Sequence, residues 1–253
     1  MIADIIIPFH NRADMLIRCL RALSVARPLE AEVLIVDDGS VVAERRLSEQ
    51  AAAEHGGTVN WLGLPRRLGF VGAVNAAWSR CRRPMTVILN SDTVPTPDLV
   101  LKLASAFQQD PRTAAAAPVS DNPSDLYQYR PPQSTTRDVR REDLTMVPYL
   151  TGMCIALRRS AIAPPLFDPV FSPGYFEDLD VSCRLRMAGW RLRVVENCRV
   201  HHEGQASFGF DRNLRAIIAR NYAQFTKRWA HLPEHQDLVW RLRKLARCNE
   251  VCA

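Results

Sequence analysis

No apolar run in this 253-residue chain approaches the roughly 18 residues that a membrane-spanning helix needs, which excludes an integral helical membrane protein. Met1 leads straight into Ile5-Ile6-Ile7, with no basic leader and no small-residue cleavage site, so no secretory signal is read there. The seven cysteines (Cys19, Cys81, Cys154, Cys183, Cys198, Cys248 and Cys252) are odd in number, and none forms a C-x-x-C pair. That excludes a disulfide frame or zinc knuckle and fits reduced thiols in a cytoplasmic protein. The dinucleotide fingerprint G-x-G-x-x-G and the Walker lysine are both missing. No nucleic-acid motif and no interleaving of aromatic with basic residues is present, so no nucleic acid is expected as a partner. At 47% hydrophobic, 24% charged and 8% aromatic, the composition also excludes collagen, coiled coil and extended disorder. A globule long enough to bury a full core remains.

Lysine is scarce: only Lys102, Lys227 and Lys244 stand among 33 basic residues, which face 27 acidic ones. The planar fork of arginine suits phosphates and carboxylates, although such a bias also follows from base composition. The excess is uneven. Residues 212–247 hold nine basic side chains against Glu234 and Asp237. Two readings stand for this segment, a solvated helix face or a peripheral contact with acidic phospholipid or a phosphorylated partner.

Apolar patterning predicts an alternation of strands and helices. Residues 3–8 form a continuous apolar run, a strand buried on both faces. Met15, Leu16, Cys19, Leu20 and Leu23 have helical spacing within 11–26. A strand is predicted over 32–36 and a helix over 41–54, capped near Gly56-Gly57. Strands follow over 59–62, 85–89 and 114–119, and helices over 72–81 and 97–109. Such alternation with short links is the signature of an α/β sheet, mostly parallel and flanked by helices. Residues 120–146 read as a long polar loop. Beyond it come strands over 147–157, 190–195 and 198–202, and helices over 177–188, 213–229 and 236–248. The predicted organisation is a single domain, 1–253. Its parts are a nucleotide-binding half (1–119), an acceptor and catalytic half (120–210) and basic C-terminal helices (211–253).

In open α/β sheets ligands bind beyond the carboxyl ends of the strands. Polar clusters sit at three such ends: Pro8 to Asn11, Asp37-Asp38-Gly39-Ser40, and Asn90-Ser91-Asp92-Thr93. Two adjacent acids at 37–38 exceed what a helix cap needs, and one suits a hydrogen bond from a nucleobase N–H. Asp92 suits Mg²⁺ or Mn²⁺, which take carboxylate oxygen and keep phosphate as co-ligand. Glu177-Asp178-Leu179-Asp180 opens a helix, where acids suit the dipole or supply a general base. His201 and His202 are adjacent in an extended segment and so point to opposite sides. The turn from Gly69 to Asn75 opens a helix whose amides suit phosphate.

Taken in order, these strings resemble the family 2 glycosyltransferases, which have the GT-A fold. The resemblance spans residues 5 to about 225 and rests on Ile5-Ile6-Ile7-Pro8-Phe9-His10-Asn11-Arg12, Val36-Asp37-Asp38-Gly39-Ser40, Leu68-Gly69-Phe70 and Leu89-Asn90-Ser91-Asp92-Thr93. It continues through Thr151-Gly152, Phe176-Glu177-Asp178-Leu179-Asp180, Arg184-Leu185-Arg186, Ala188-Gly189 and His201-His202-Glu203-Gly204. The branch it looks most like contains rhamnosyltransferases of bacterial surface glycans.

The resemblance implies that Pro8 and Asn11 border base and ribose, and that Asp38, with Asp37 nearby, binds the base. Gly69, Asn75, Asn90, Ser91 and Asp92 would then line the nucleotide sugar. Asp92 matches the last acid of the family's D-x-D motif and, with His202 (His201 as the fallback), would hold Mn²⁺ or Mg²⁺. Asp178 matches the catalytic base, with Glu177 beside it. Thr151, Gly152 and Glu177 would meet the acceptor. Two positions depart from the pattern: Asn90 replaces the first acid of D-x-D, and Arg67 stands where many relatives carry asparagine.

The activity so implied is transfer of a sugar from a UDP- or dTDP-linked donor to a hydroxyl of a glycan or lipid-linked acceptor, in the cytoplasm or at the inner membrane face. One base without a second nucleophile implies direct displacement with inversion. Two alternatives compete. A sugar nucleotidyltransferase would want a glycine-rich loop and a basic residue after the first strand, where this chain has Pro8-Phe9-His10-Asn11 and Arg12 alone. A non-catalytic sugar-nucleotide-binding module would not need Asp178 with His202.

Overall fold

A computed structural model describes residues 3–25, 31–55, 59–131, 144–204 and 213–251, with backbone only for 247–251. The chain runs β1 (Ala3–Phe9), α1 (Ala13–Ser24), β2 (Ala31–Asp37), α2 (Val42–Glu54), β3 (Val59–Gly63), α3 (Gly69–Trp78), β4 (Met85–Leu89), β5 (Thr93–Pro95), α4 (Leu99–Gln109) and β6 (Thr113–Ser120). A short helical turn, Pro123–Gln128, precedes β7 (Leu144–Met146) and β8 (Cys154–Arg158). Then come α5 (Glu177–Met187), β9 (Arg191–His202), α6 (Leu214–Trp229) and α7 (His235–Val251).

All strands join one sheet in the order β3-β2-β1-β4-β8-β6-β9-β5, with β7 on β9. The first four strands are parallel, as the alternating pattern requires. The second half is mixed: β8 runs antiparallel to both β4 and β6, and β9 is parallel to β6 but antiparallel to β5 and β7. Every residue of β1 is buried, in keeping with its unbroken apolar run and its place between neighbours covered on both faces. One core layer packs α1 and α4 on Ile5, Ile7, Val33, Ile35 and Val87; the other packs α3, α5 and Phe225 of α6 on Ile6, Val36 and Ile88.

Several predicted bounds change. The strand expected over 147–157 is confined to Cys154–Arg158, because the preceding residues turn toward α5 instead of pairing. The pieces predicted at 190–195 and 198–202 are one strand, β9, continuous because β6 pairs with it across both. The loop predicted over 120–146 contains the turn Pro123–Gln128 and strand β7; its residues 132–143, the Gly56-Gly57 cap and Arg212 lie outside the described residues. Strand β5 was not anticipated: three residues carry no periodicity and extend only because β9 lies beside them.

Candidate active site

The ends of β1, β2 and β4 meet in a cleft whose walls include Pro8, His10, Asp38, Arg67, Phe70 and Asn90. Local chemistry makes the turns. Asn11 lies in the left-handed region (φ 55°) and is clamped both ways: its N–H donates to Ser40 Oγ at 2.8 Å, and its Oδ1 accepts the Val41 N–H at 3.0 Å. His10 Nδ1 is 2.9 Å from the Asp38 carbonyl. Asp38 accepts the backbone N–H groups of Leu68 (2.6 Å) and Gly69 (2.8 Å), so it fixes the start of α3 against the cleft. Burial raises its pKa, and those two N–H groups oppose the rise. Glycine is required at 39 (φ 72°), where a Cβ would stand 2.7 Å from Arg67 N, and at 69 (φ 77°), where it would collide with Pro173.

Two expected donor residues are committed elsewhere. Asp37 has no exposed side-chain surface; its carboxylate accepts from Ser40 N (2.8 Å) and Arg45 Nε (2.5 Å). It clamps the turn from beneath and is not among the side chains that line the cleft. Asn75 donates to the Phe167 carbonyl at 2.8 Å and accepts the Phe167 N–H at 2.9 Å, so its amide ties the 166–167 segment to α3.

Deeper in the cleft, the β5–β9 ladder sets His202 opposite Thr93, beside Asp92. His202 Nε2 stands 3.6 Å from Asp92 Oδ1. The alternation of β9 turns His201 outward, to Asp121 Oδ2 at 2.5 Å, and His202 inward. Asp92 is 5% exposed, and its Oδ1 finds no hydrogen-bond partner; the buried Oδ1 of Asn90 is also unpartnered. Ser91 is buried between them. Orphaned buried acceptors of this kind call for a ligand or an ion. Burial opposes the charged form of His202, but its hydrogen bond to Asp125 and the nearby Asp92 carboxylate outweigh it and raise the pKa to about 10. Among the described residues no three His, Cys, Asp or Glu side chains are grouped to hold an ion. The donor set is therefore one carboxylate and one imidazole, which fits Mn²⁺ or Mg²⁺ when diphosphate oxygens complete the shell.

Opposite them, α5 presents its first turn. The backbone enters through two left-handed residues, Tyr175 (φ 75°) and Phe176 (φ 72°), conformations that non-glycine residues hold only when their surroundings impose them. The imposition comes from α6: Asn221 is fully buried and donates to the carbonyls of Phe171 and Gly174, both at 2.7 Å. Asp178 Oδ2 accepts the Gly152 N–H and Oδ1 its neighbour Leu179 N–H, each at 2.8 Å. Burial raises the Asp178 pKa to about 6 despite these donors, and the charge of Asp125 adds to the rise. Glu177 is more sealed still, with Oε2 unpartnered; burial and the charge of Asp178 push it well above the usual carboxylate range. Asp180, the third acid, has no exposed surface and bonds to Arg184, Arg228 and Trp229, so its role is structural.

The two groups are linked through one turn. His202 Nδ1 is 2.8 Å from Asp125 Oδ2; Asp125 Oδ1 lies 3.4 Å from Thr151 Oγ1; the next residue, Gly152, holds Asp178. The expected residues Asn90, Asp92, Thr151, Gly152, Glu177, Asp178 and His202 are thus brought together. Asp125 is absent from the sequence expectation. It sits in a polar turn that resembles any loop, and its burial comes from Ser120, Thr151 and His202, which nothing in the local sequence places beside it.

Residues 4–163 match the family described as Glycosyl transferase family 2. The chain is 27% identical over 230 residues to an N-acetylglucosaminyl-diphospho-decaprenol L-rhamnosyltransferase of Mycobacterium tuberculosis (strain CDC 1551 / Oshkosh), covering 77% of this chain and 73% of that one. It is 33% identical over 103 residues to an undecaprenyl-phosphate 4-deoxy-4-formamido-L-arabinose transferase of Pseudomonas fluorescens (strain SBW25), covering 40% of this chain and 30% of the relative. Its fold superposes on the crystal structure of GalNAc-T7 with UDP, GalNAc and Mn²⁺ at a TM-score of 0.71 and 18% identity, covering 90% of this chain and 48% of that chain. This chain therefore spans less than half of the arabinose transferase and of the GalNAc-T7 chain. The architecture is GT-A, as the order of motifs implied.

Proposed function

The chain belongs to glycosyl transferase family 2, and from that premise we propose that it transfers a sugar, with inversion, from a UDP- or dTDP-linked donor to a hydroxyl of a glycan or lipid-linked acceptor in surface polysaccharide synthesis. The observation that carries this reading is one raised-pKa carboxylate, Asp178, linked to the Asp92–His202 pair through Gly152, Thr151 and Asp125.

Asp178 takes the proton. A base with a pKa near 6 is ionised at neutral pH yet basic enough to accept a proton as the acceptor hydroxyl attacks. Its two backbone donors fix the carboxylate in place, which reduces the reorganisation needed during transfer. Glu177 lies beside it, with burial and the charge of Asp178 both disfavouring its ionised form. Thr151 and Gly152 shape the acceptor side, and Asn90 offers an amide to the donor sugar or ribose. Pro8, Asn11, Asp38 and Gly69 frame the base and the phosphates at the start of α3. Asp92 and His202 would hold Mn²⁺ or Mg²⁺, which when bound supplies positive charge against the leaving diphosphate. The reading assigns one carboxylate, Asp178, as base and no covalent intermediate, so displacement is direct. On this reading residues 1–119 hold the donor and 120–210 the acceptor and base, while 211–253 brace them.

The C-terminal helices also support contact with an acidic membrane at the inner face. On α7, Trp240 is 58% exposed, Lys244 Nζ lies 5.4 Å from its ring centroid, and Arg243 is exposed on the same face. An exposed indole among cations suits the headgroup region. Among the described residues no helix is long and apolar enough to cross a membrane. Sedimentation with phosphatidylglycerol vesicles should show binding that falls with salt and is lost in Trp240→Ala/Lys244→Glu; salt-independent or unchanged binding refutes the contact.

The function is tested by a thermal-shift screen of nucleotide sugars with and without Mn²⁺, followed by NMR of the product linkage made from the stabilising donor. Stabilisation by a donor and an inverted anomeric centre are expected. Binding without turnover on polyprenol-linked and free glycans would favour the non-catalytic module instead, and stabilisation by a sugar phosphate with a nucleoside triphosphate would favour the nucleotidyltransferase.

A further inference from the structure

One buried carboxylate in the cleft takes no part in the proton transfer. Asp125 is 3% exposed and lies in the turn Pro123–Gln128, next to left-handed Leu126 (φ 49°). A sealed carboxylate is costly unless its surroundings satisfy it, and here they do. Its Oδ2 receives the Ser120 hydroxyl and stands 2.8 Å from His202 Nδ1; its Oδ1 faces Thr151. Ser120 Oγ is itself fixed, since it accepts the Asn122 N–H at 3.0 Å. Two residues on, the Tyr127 hydroxyl donates to Asp237 of α7 at 2.5 Å, and Arg241 lies 4.2 Å over its ring. The turn is pinned from both sides, and it presents a carboxylate to an imidazole.

An imidazole ligates a cation only through the nitrogen that carries the lone pair, and the bond at the other nitrogen decides which one that is. With Asp125 accepting from Nδ1–H, Nε2 is the nitrogen that faces Asp92 Oδ1, and it is there that a cation would displace the proton and meet the lone pair. Asn90 in place of an acid leaves this segment one carboxylate short, and a firmly oriented histidine compensates. We propose that Asp125 is a positioning residue that fixes the ring and tautomer of His202, so that His202 and Asp92 together take up a divalent cation with a nucleoside diphosphate. The proposal rests on the reading of this cleft as a donor site.

The test is calorimetry on the full chain: Mn²⁺ titrated in the presence of UDP, GDP or dTDP, and each nucleotide titrated alone. Asp125→Asn should keep the wild-type circular dichroism and bind nucleotide alone as the wild type does, while its Mn²⁺ affinity falls about 10–100-fold. Wild-type Mn²⁺ affinity in Asp125→Asn overturns the proposal, as does an equal weakening of nucleotide binding with and without Mn²⁺, the mark of a role in folding alone. Asp125→Ser carries the same expectation should the asparagine variant not fold. If the wild type takes up no Mn²⁺ with any of the three nucleotides, the donor-site reading fails as well. Loss of Mn²⁺ in Asp92→Ala but not in Asp125→Asn removes the positioning role only.

Discussion

Asp178→Asn replaces the proposed base with an amide of the same shape that cannot accept the proton. The structure sets the size of the effect. Burial lifts the Asp178 pKa from 3.8 to about 6, against the pull of the Gly152 and Leu179 N–H groups. A base acts only when deprotonated, so the rate should rise with pH through about 6. The ionised fraction is then roughly nine-tenths at pH 7 and one-tenth at pH 5, about a tenfold fall in kcat/KM. An aspartate left at 3.8 would give a flat profile over that range. Loss of the base should cost about 10²–10⁴-fold in kcat, or about 3–5 kcal/mol of barrier. Donor affinity should hold, because on the proposed reading Asp178 meets the acceptor while Asp92 meets the diphosphate. The assay is product formation against pH with the donor found by thermal shift, for wild type and variant. A variant within threefold of wild type, or a wild-type rate unchanged between pH 7 and pH 5, refutes the assignment.

Other perturbations separate binding, ionisation and scaffold. Asp92→Ala should abolish the stabilisation that Mn²⁺ adds to UDP or dTDP in a thermal-shift titration, and an unaltered Mn²⁺ dependence would take Asp92 out of the site. Glu177→Gln removes an acid whose pKa is raised in the fold. The unfolded chain gives up this proton at its ordinary pKa of 4.5 while the folded chain holds it to higher pH, so wild-type stability falls as pH rises from about 4.5 toward the raised value; the variant's gain in Tm over wild type should grow through that window and vanish below it, and a gain independent of pH contradicts the raised pKa. Asp180→Ala strips Arg184, Arg228 and Trp229 of their common acceptor and should cost about 3 kcal/mol in urea unfolding, whereas a loss under about 1 kcal/mol would mean the cluster does not hold α6. Phe225→Ala, at a fully buried α6 position, should cost about 3–5 kcal/mol by the same measurement, and less than about 1 kcal/mol would show that α6 is not docked on the core.

Much of the first half is legible because its instructions are local. The apolar run at 3–9 reports burial on both faces, and the amphipathic spacing at 15–23 reports one packed face of α1. Asp38-Gly39 reads as a turn because only glycine tolerates the left-handed backbone pressed on Arg67. The ends of parallel strands necessarily lie on one edge, so the polar groups at Pro8, Asp38 and Asn90 had to meet. The acids at 177–180 stood out because a string of acids opening a helix is visible without coordinates, and the family resemblance singled out Asp178 among them as the expected base.

Three-dimensional packing decided the rest. Asp37 differs from Asp38 by the seal of Arg45 from the next helix, and Asp180 differs from Asp178 by that of Arg184 one turn on and of Arg228 from α6. Nothing local chooses His202 over His201: the choice follows from the register of β9 against Thr93, more than 100 residues away in the chain. Asp125 acquires its partners only because β6, β8 and β9 converge on one turn. Sequence patterning encodes which face of an element is apolar and where backbone must bend, since those are fixed by neighbours within a few residues. Which charges end up paired, neutral or open to a ligand is set by burial and by long-range strand register, and those exist only once the sheet has closed.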